Sequence, residues 1–123
     1  MYERILVGTD GSPTAAIAVD RAVEVAAASK AKLTIMSVGK ADRAQAVVDG
    51  EKSRHASAGV DIETAVASGD PSSALVELAE QGKYDLVVVG NKGMTGASRF
   101  FLGSVPNKVS HQIPTALLIV RTT

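Results

Sequence analysis

The residues best placed to do chemistry are a set of loop glycines with a serine, and one aspartate. The apolar run Val87-Val88-Val89 stops at Gly90-Asn91-Lys92-Gly93, and Gly103-Ser104 then opens a helical pattern at Val105. An apolar strand, a glycine-bearing loop and a helix start make a place for phosphate. Glycine lets backbone come close to an anion, and the unpaired N–H groups of a helix's first turn supply donors and partial positive charge. Near the start of the chain, Ile5-Leu6-Val7 ends in Gly8-Thr9-Asp10-Gly11-Ser12. The carboxylate at the end of this buried strand could simply cap the helix begun by Ser12-Pro13. Gly90 and Gly93 could likewise be plain turn glycines.

Spacing narrows the class. No G-x-x-x-x-G-K-[ST] occurs, which excludes a P-loop, and no G-x-G-x-x-G occurs, which excludes the dinucleotide fingerprint. What stands is G-x2-G-x9-G-S, at Gly90, Gly93, Gly103 and Ser104. Lys92 and Arg99 could neutralise phosphate charge or simply be solvated. Ser104 can cap its helix and donate to a phosphate at once. His55 and His111 lack a second ligand at metal spacing and read as ordinary surface residues. Phe100-Phe101-Leu102 reads as packing beneath the loop, with a partner-binding patch as the alternative.

These residues need elements to hold them. Ile5–Val7 reads as a buried first strand, and Ser12-Pro13 caps and starts a helix to about Ser29, with Ala16, Val19, Val23 and Ala26 as its stripe. Leu33–Val38 is the second strand. The segment from Lys40 to Gly59 reads as a weak helix over Ala41–Val48, interrupted by Gly50, or as a mobile connection, with Glu51 to His55 packing little. Asp61–Ser68 has the pattern of a sheet edge, wet on one face. Asp70-Pro71 starts a third helix with Leu75, Leu78 and Ala79 inward, closed by Gly82 at C′. Leu86–Val89 shows no alternation, as expected for a strand buried on both faces. Val105, Val109 and Ile113 mark a helix stopped by Pro114, and Ala116–Val120 is the last strand. Alternating strands and helices imply right-handed βαβ units around a parallel sheet. If the chain winds one way through strands 1 to 3 and the other way through 4 and 5, the first and fourth strands meet at a topological switch point, where ligands bind in such sheets.

At 123 residues the chain is expected to be one domain, 1–123, with a core that must be aliphatic because aromatics make up only 3%. Thirteen basic and 13 acidic side chains cancel, which argues against a general nucleic-acid binder. The absence of cysteine excludes disulfides and thiolate chemistry. No signal-peptide pattern precedes the first strand and no apolar run reaches membrane-spanning length, so a cytoplasmic location without membrane partners is expected.

The G-x2-G-x9-G-S motif, the Gly8-Thr9-Asp10-Gly11-Ser12 turn and the Leu117–Arg121 close, in this order, resemble the adenine-nucleotide-binding branch of the universal stress protein family over essentially the whole chain. The resemblance implies an α/β three-layer sandwich, doubly wound, with a five-stranded parallel sheet of order 3-2-1-4-5, of the adenine nucleotide alpha-hydrolase-like (Rossmann-like) kind. It implies ATP or another adenine nucleotide at the switch point, with Mg2+ accompanying ATP, and cyclic AMP as an alternative ligand. Asp10 would take the ribose hydroxyls, the Val38 backbone the adenine edge, and Gly90, Gly93, Gly103 and Ser104 the phosphates. The whole implied set is Gly8, Thr9, Asp10, Val38, Val89, Gly90, Lys92, Gly93, Gly103, Ser104 and Val105, with no catalytic residue and no metal ligand.

Two departures bear on affinity. Pro106 removes an N–H from the helix start, which would hurt a triphosphate more than a single phosphate. The chain is short between strands 2 and 3, which trims the region that would cover the adenine. No nucleophile–base pair can be assembled from the motifs, so a regulatory binder is expected rather than an efficient enzyme, with weak ATP hydrolysis or autophosphorylation at most. A stress protein with an empty pocket is the alternative of a different class. A receiver-type phospho-acceptor domain fits poorly, since only Asp10 stands where an acidic pair is needed. A flavodoxin-type carrier lacks its aromatic stackers. The apolar last strand, Ala116–Val120, lies at an edge in the expected order and invites homodimer pairing across a two-fold axis.

Overall fold

A computed structural model of the chain describes residues 1–91 and 104–122, with Ser104 by its backbone alone. Five strands alternate with four helices: β1 (Arg4–Gly8), α1 (Pro13–Ser29), β2 (Lys32–Val38), α2 (Ala41–Arg54), β3 (Ile62–Ala67), α3 (Pro71–Gln81), β4 (Leu86–Gly90), α4 (Ser104–Gln112) and β5 (Ala116–Val120). The strands pair in the order β3-β2-β1-β4-β5, every pair parallel. This is the expected doubly wound sheet, and its winding reverses between β1 and β4.

The central strands lack alternation because both their faces are covered. Ile5, Val7, Leu33, Ile35 and Val88 pack under α1 and α2, while Leu6, Met36, Val87 and Val89 pack under α3 and α4. Each such side chain, fully buried, contributes about 1.5–3 kcal/mol relative to exposure. Alanines 15, 18, 22 and 26 line the buried face of α1 and bring it close to the sheet. On β3, Ile62 packs in the α1/α2 layer while the neighbouring Glu63 is exposed, the half-wet edge that the sequence suggested.

Local signals explain most helix ends. Ser12 Oγ accepts from Ala15 N at 3.2 Å, and Pro13 occupies the first turn of α1. Asp70 accepts from Ser73 N at 3.0 Å, again ahead of a proline. The end of α3 differs from expectation. Gly82 is the C-cap itself at φ −84°, and the left-handed residue is Lys83 at φ 55°. Glycine is needed at 82 for a different reason: a Cβ there would overlap Cε2 of Tyr84. The Tyr84 ring lies under the Arg4 guanidinium and donates its hydroxyl to Thr34 Oγ1 at 2.7 Å.

The larger correction concerns α2. Gly50 does not interrupt it, and the helix runs unbroken from Ala41 to Arg54. The polar run at its end packs against α1, contrary to expectation. Arg54 bridges Asp20 on α1, at 2.7 Å, and Glu51 on its own helix. His55 is no ordinary surface residue: its side chain is 14% exposed, with Nε2 3.0 Å from Asp20 Oδ1. Burial works against the Arg54 charge, but hydrogen bonds to Glu51 and Asp20 outweigh it and raise its pKa. Charge pairing thus supplies the anchorage that the apolar pattern of this helix lacks. His111 is exposed, as read.

Candidate functional site

The exit of β1 is built to hold a tight turn. Thr9 is fully buried, and its N–H donates to Met36 O at 2.9 Å, which carries the β1–β2 pairing one residue past the strand. Its Oγ1 accepts from Gly11 N at 3.1 Å. Gly11 stands at φ +82°, and a Cβ there would come within 2.8 Å of Val47 Cγ2 on α2. Only glycine satisfies both conditions. The turn leaves Asp10 exposed at the edge of the sheet, with Oδ1 accepting from Ser12 N at 2.9 Å. The helix-capping reading and the hydroxyl-binding reading of Asp10 are therefore compatible, because a carboxylate has further lone pairs to offer.

Asp10 shares a cleft of about 230 Å³ with the end of β2 and the start of α2. Ser37, Val38 and Gly39 form one side, and Lys40, Arg43, Ala44 and Val47 form the other. The short segment after β2 therefore does not leave this cleft without a wall, because α2 begins only three residues after Val38. Lys40 and Arg43 were not singled out from the sequence, where nothing marked the segment as part of a site.

On the other side of the β1 exit, Gly8, Thr9 and Ala15 face Val89, Gly90, Val105 and Pro106 around a smaller hollow at the switch point. Gly8 is constrained by packing, since a Cβ would meet Leu75 Cδ1 at 3.0 Å. Pro106 is the third residue of α4, within the first turn, where its N–H would have had no partner in the helix. The helix forms undisturbed, and the deficit falls on any ligand that needs donors there. Asn91 fixes the exit of β4. Its N–H donates to Val120 O at 2.8 Å, and its Oδ1 accepts from Thr122 N at 2.8 Å and Thr122 Oγ1 at 2.9 Å. No local sequence signal announces that contact across 31 positions.

Of the residues named from the sequence, Gly8, Thr9, Asp10, Val38, Val89, Gly90 and Val105 thus gather at the carboxyl ends of β1, β2 and β4. Lys92, Gly93 and Gly103 lie outside the described residues, as does the side chain of Ser104. Hollows of about 310 Å³ between β3 and α3, and about 420 Å³ beside the end of α2, are larger. Neither lies at the switch point. Among the described residues no group of three or more His, Asp or Glu gathers as a metal site, and no helix is long and apolar enough to cross a membrane.

The family model described as "Universal stress protein family" matches residues 1–58 and 39–121. Universal stress protein Rv1636 of Mycobacterium tuberculosis (strain ATCC 25618 / H37Rv) is 35% identical over 144 residues, covering 99% of this chain and 98% of its own. A solved universal stress protein in complex with cAMP is 44% identical, with a TM-score of 0.86 over 99% of this chain and 98% of that one. The structure of protein MJ0577 shares the fold, with a TM-score of 0.89 at 22% identity over 100% of this chain and 98% of its own.

Proposed function

The chain belongs to the universal stress protein family, and on that premise we propose that it is a cytoplasmic, regulatory adenine-nucleotide-binding protein acting as one domain, 1–123. The observation that carries this reading is the meeting of Asp10 and Val38 in one cleft, with Gly8, Gly90 and the start of α4 immediately across the β1 exit. The donor set suits a nucleotide. Asp10 accepts from ribose hydroxyls, the Val38 backbone meets the base edge, and the apolar sides of Val38, Ala44 and Val47 cover the ring. Gly90, Gly93, Gly103 and Ser104 take the phosphates, with Lys92 and Val105 beside them. Mg2+ would arrive with ATP, held by its phosphates. The function proposed is binding, with weak ATP hydrolysis or autophosphorylation at most.

ATP is the first ligand proposed. Cyclic AMP is the second reading, favoured by the 44% identical relative solved with cAMP and by the donor that Pro106 removes. Mass spectrometry of small molecules released from freshly purified protein tests the reading without presupposing the ligand; an adenine nucleotide is expected. Competition calorimetry then separates the two, and equal or tighter ATP binding removes the cyclic AMP reading.

A further inference from the structure

Two cations stand where the helix itself disfavours them. Lys40 is the N-cap of α2 and makes no side-chain capping bond, and Arg43 lies in the first turn. The N-terminal end of a helix carries partial positive charge, so both positions favour acids over bases. Neither side chain meets an ion-pair partner among the described residues, although Asp42 lies between them and binds the Arg43 amide at 2.9 Å. Elsewhere on the same helix Arg54 is fully engaged with Asp20 and Glu51. Solvation alone would account for two exposed cations on a surface. It does not account for both lining the one cleft that also contains Asp10 and Val38.

We propose that Lys40 and Arg43 form a subsite for a phosphate monoester on a secondary ribose hydroxyl, at the 2′ or 3′ oxygen. The inference rests on the reading of this cleft as the nucleoside end of the site. With Val38 at the base edge and Asp10 at the ribose, the sugar's secondary oxygens face the wall built by the first turn of α2. The hollow beside Gly8, Gly90 and the start of α4, across the β1 exit, is the place proposed for 5′ phosphates, so these cations stand on the other side of the sugar. Asp10 does not prevent the arrangement. Asp42 on the same turn has Oδ1 engaged by the Arg43 amide, and Asp10, already accepting from Ser12 N, keeps the hydroxyl that is not esterified. Guanidinium and ammonium to phosphate are charge-assisted contacts, about twice as strong as neutral ones. The ligand class is thus a nucleotide phosphorylated at its 2′ or 3′ oxygen, with or without a 5′ phosphate.

The test is calorimetry on the full chain at low salt with adenosine, 5′-AMP, 2′-AMP and 3′-AMP. The expected result is that 2′-AMP or 3′-AMP binds about tenfold tighter than adenosine, an advantage that shrinks as salt is raised. In Lys40→Ala with Arg43→Ala the ratio of that affinity to the adenosine affinity falls toward one, and Arg43→Lys restores part of it. Adenosine binding with no advantage for either secondary phosphate overturns the subsite and leaves the nucleotide reading standing, and this comparison needs no variant. Persistence of the advantage in the double variant also overturns it. Failure of all four ligands to bind overturns the nucleotide reading, and the subsite falls with it.

Discussion

At the scale of single residues, Asp10 carries the most functional weight, and its surroundings say how to test it. Its carboxylate is exposed and, among the described residues, bonded only locally, to Ser12 N, so substitution leaves the core intact. Asp10→Ala is expected to weaken adenosine binding by about tenfold, the loss of one hydrogen bond to a charged group. The loss should be much smaller for 2′,3′-dideoxyadenosine, which offers no hydroxyls to accept from. Titration calorimetry with both ligands reads the difference. Gly82 is a residue of the opposite kind, packed with no spare room. Gly82→Ala would drive a methyl group into Tyr84, whose hydroxyl is tied to Thr34, and is expected to cost about 1–3 kcal/mol in urea unfolding. Asp70 gives a pH-dependent signature. Hydrogen bonds from the Ser72 hydroxyl, the Ser73 amide and the Ser73 hydroxyl lower its pKa from 3.8 to about 2. A carboxyl that is more acidic when folded stabilises above its unfolded pKa and loses that contribution as pH falls through the folded one. The melting-temperature gap between wild type and Asp70→Ala should therefore be constant above about pH 4 and narrow from there toward pH 2.

At the scale of elements, what the sequence made legible and what it hid divide along a physical line. β1, β4, α1 and α3 are specified by local chemistry: uninterrupted apolar runs, a Ser or Asp cap, and a proline in the first turn. Each signal lies within a few residues of what it specifies. α2 is hidden because its anchors are not local. A glycine at position 50 and a polar tail read as an interruption, yet Arg54 and His55 reach Asp20 on α1. The same blindness concealed Lys40 and Arg43 as part of the cleft and Asn91 as the partner of Thr122. The position of Gly82 was read correctly as a helix end, but its cause is the Tyr84 ring rather than a left-handed turn. Because Gly50 sits inside α2 with nothing within 4 Å of a built Cβ, Gly50→Ala should stabilise the protein. A gain of about 0.5–1 kcal/mol is expected, read as a higher urea midpoint at unchanged slope.

At the scale of the whole molecule, the order β3-β2-β1-β4-β5 puts the half-wet β3 and the apolar β5 at the margins and the site at the reversal between β1 and β4. β5 is half-buried over Leu117, Leu118 and Ile119 and, among the described residues, has a partner strand on one side only. Pairing with a second copy would complete its backbone bonding, and sedimentation at micromolar concentration is expected to show a dimer. A strictly monomeric profile would remove that assembly. The β4–β5 junction, closed by Asn91 and Thr122, connects this edge to the candidate site.

Binding of an adenine nucleotide at the β1–β4 reversal is read out by amide correlation spectra during titration with ATP and, in a fresh sample, cyclic AMP. Shifts concentrated in Gly8 to Ser12, Ser37 to Gly39 and Gly90 to Asn91 are expected, with little change in the β3–α3 groove. Spectra unmoved by either nucleotide, or shifts confined to that groove, would contradict binding at the reversal.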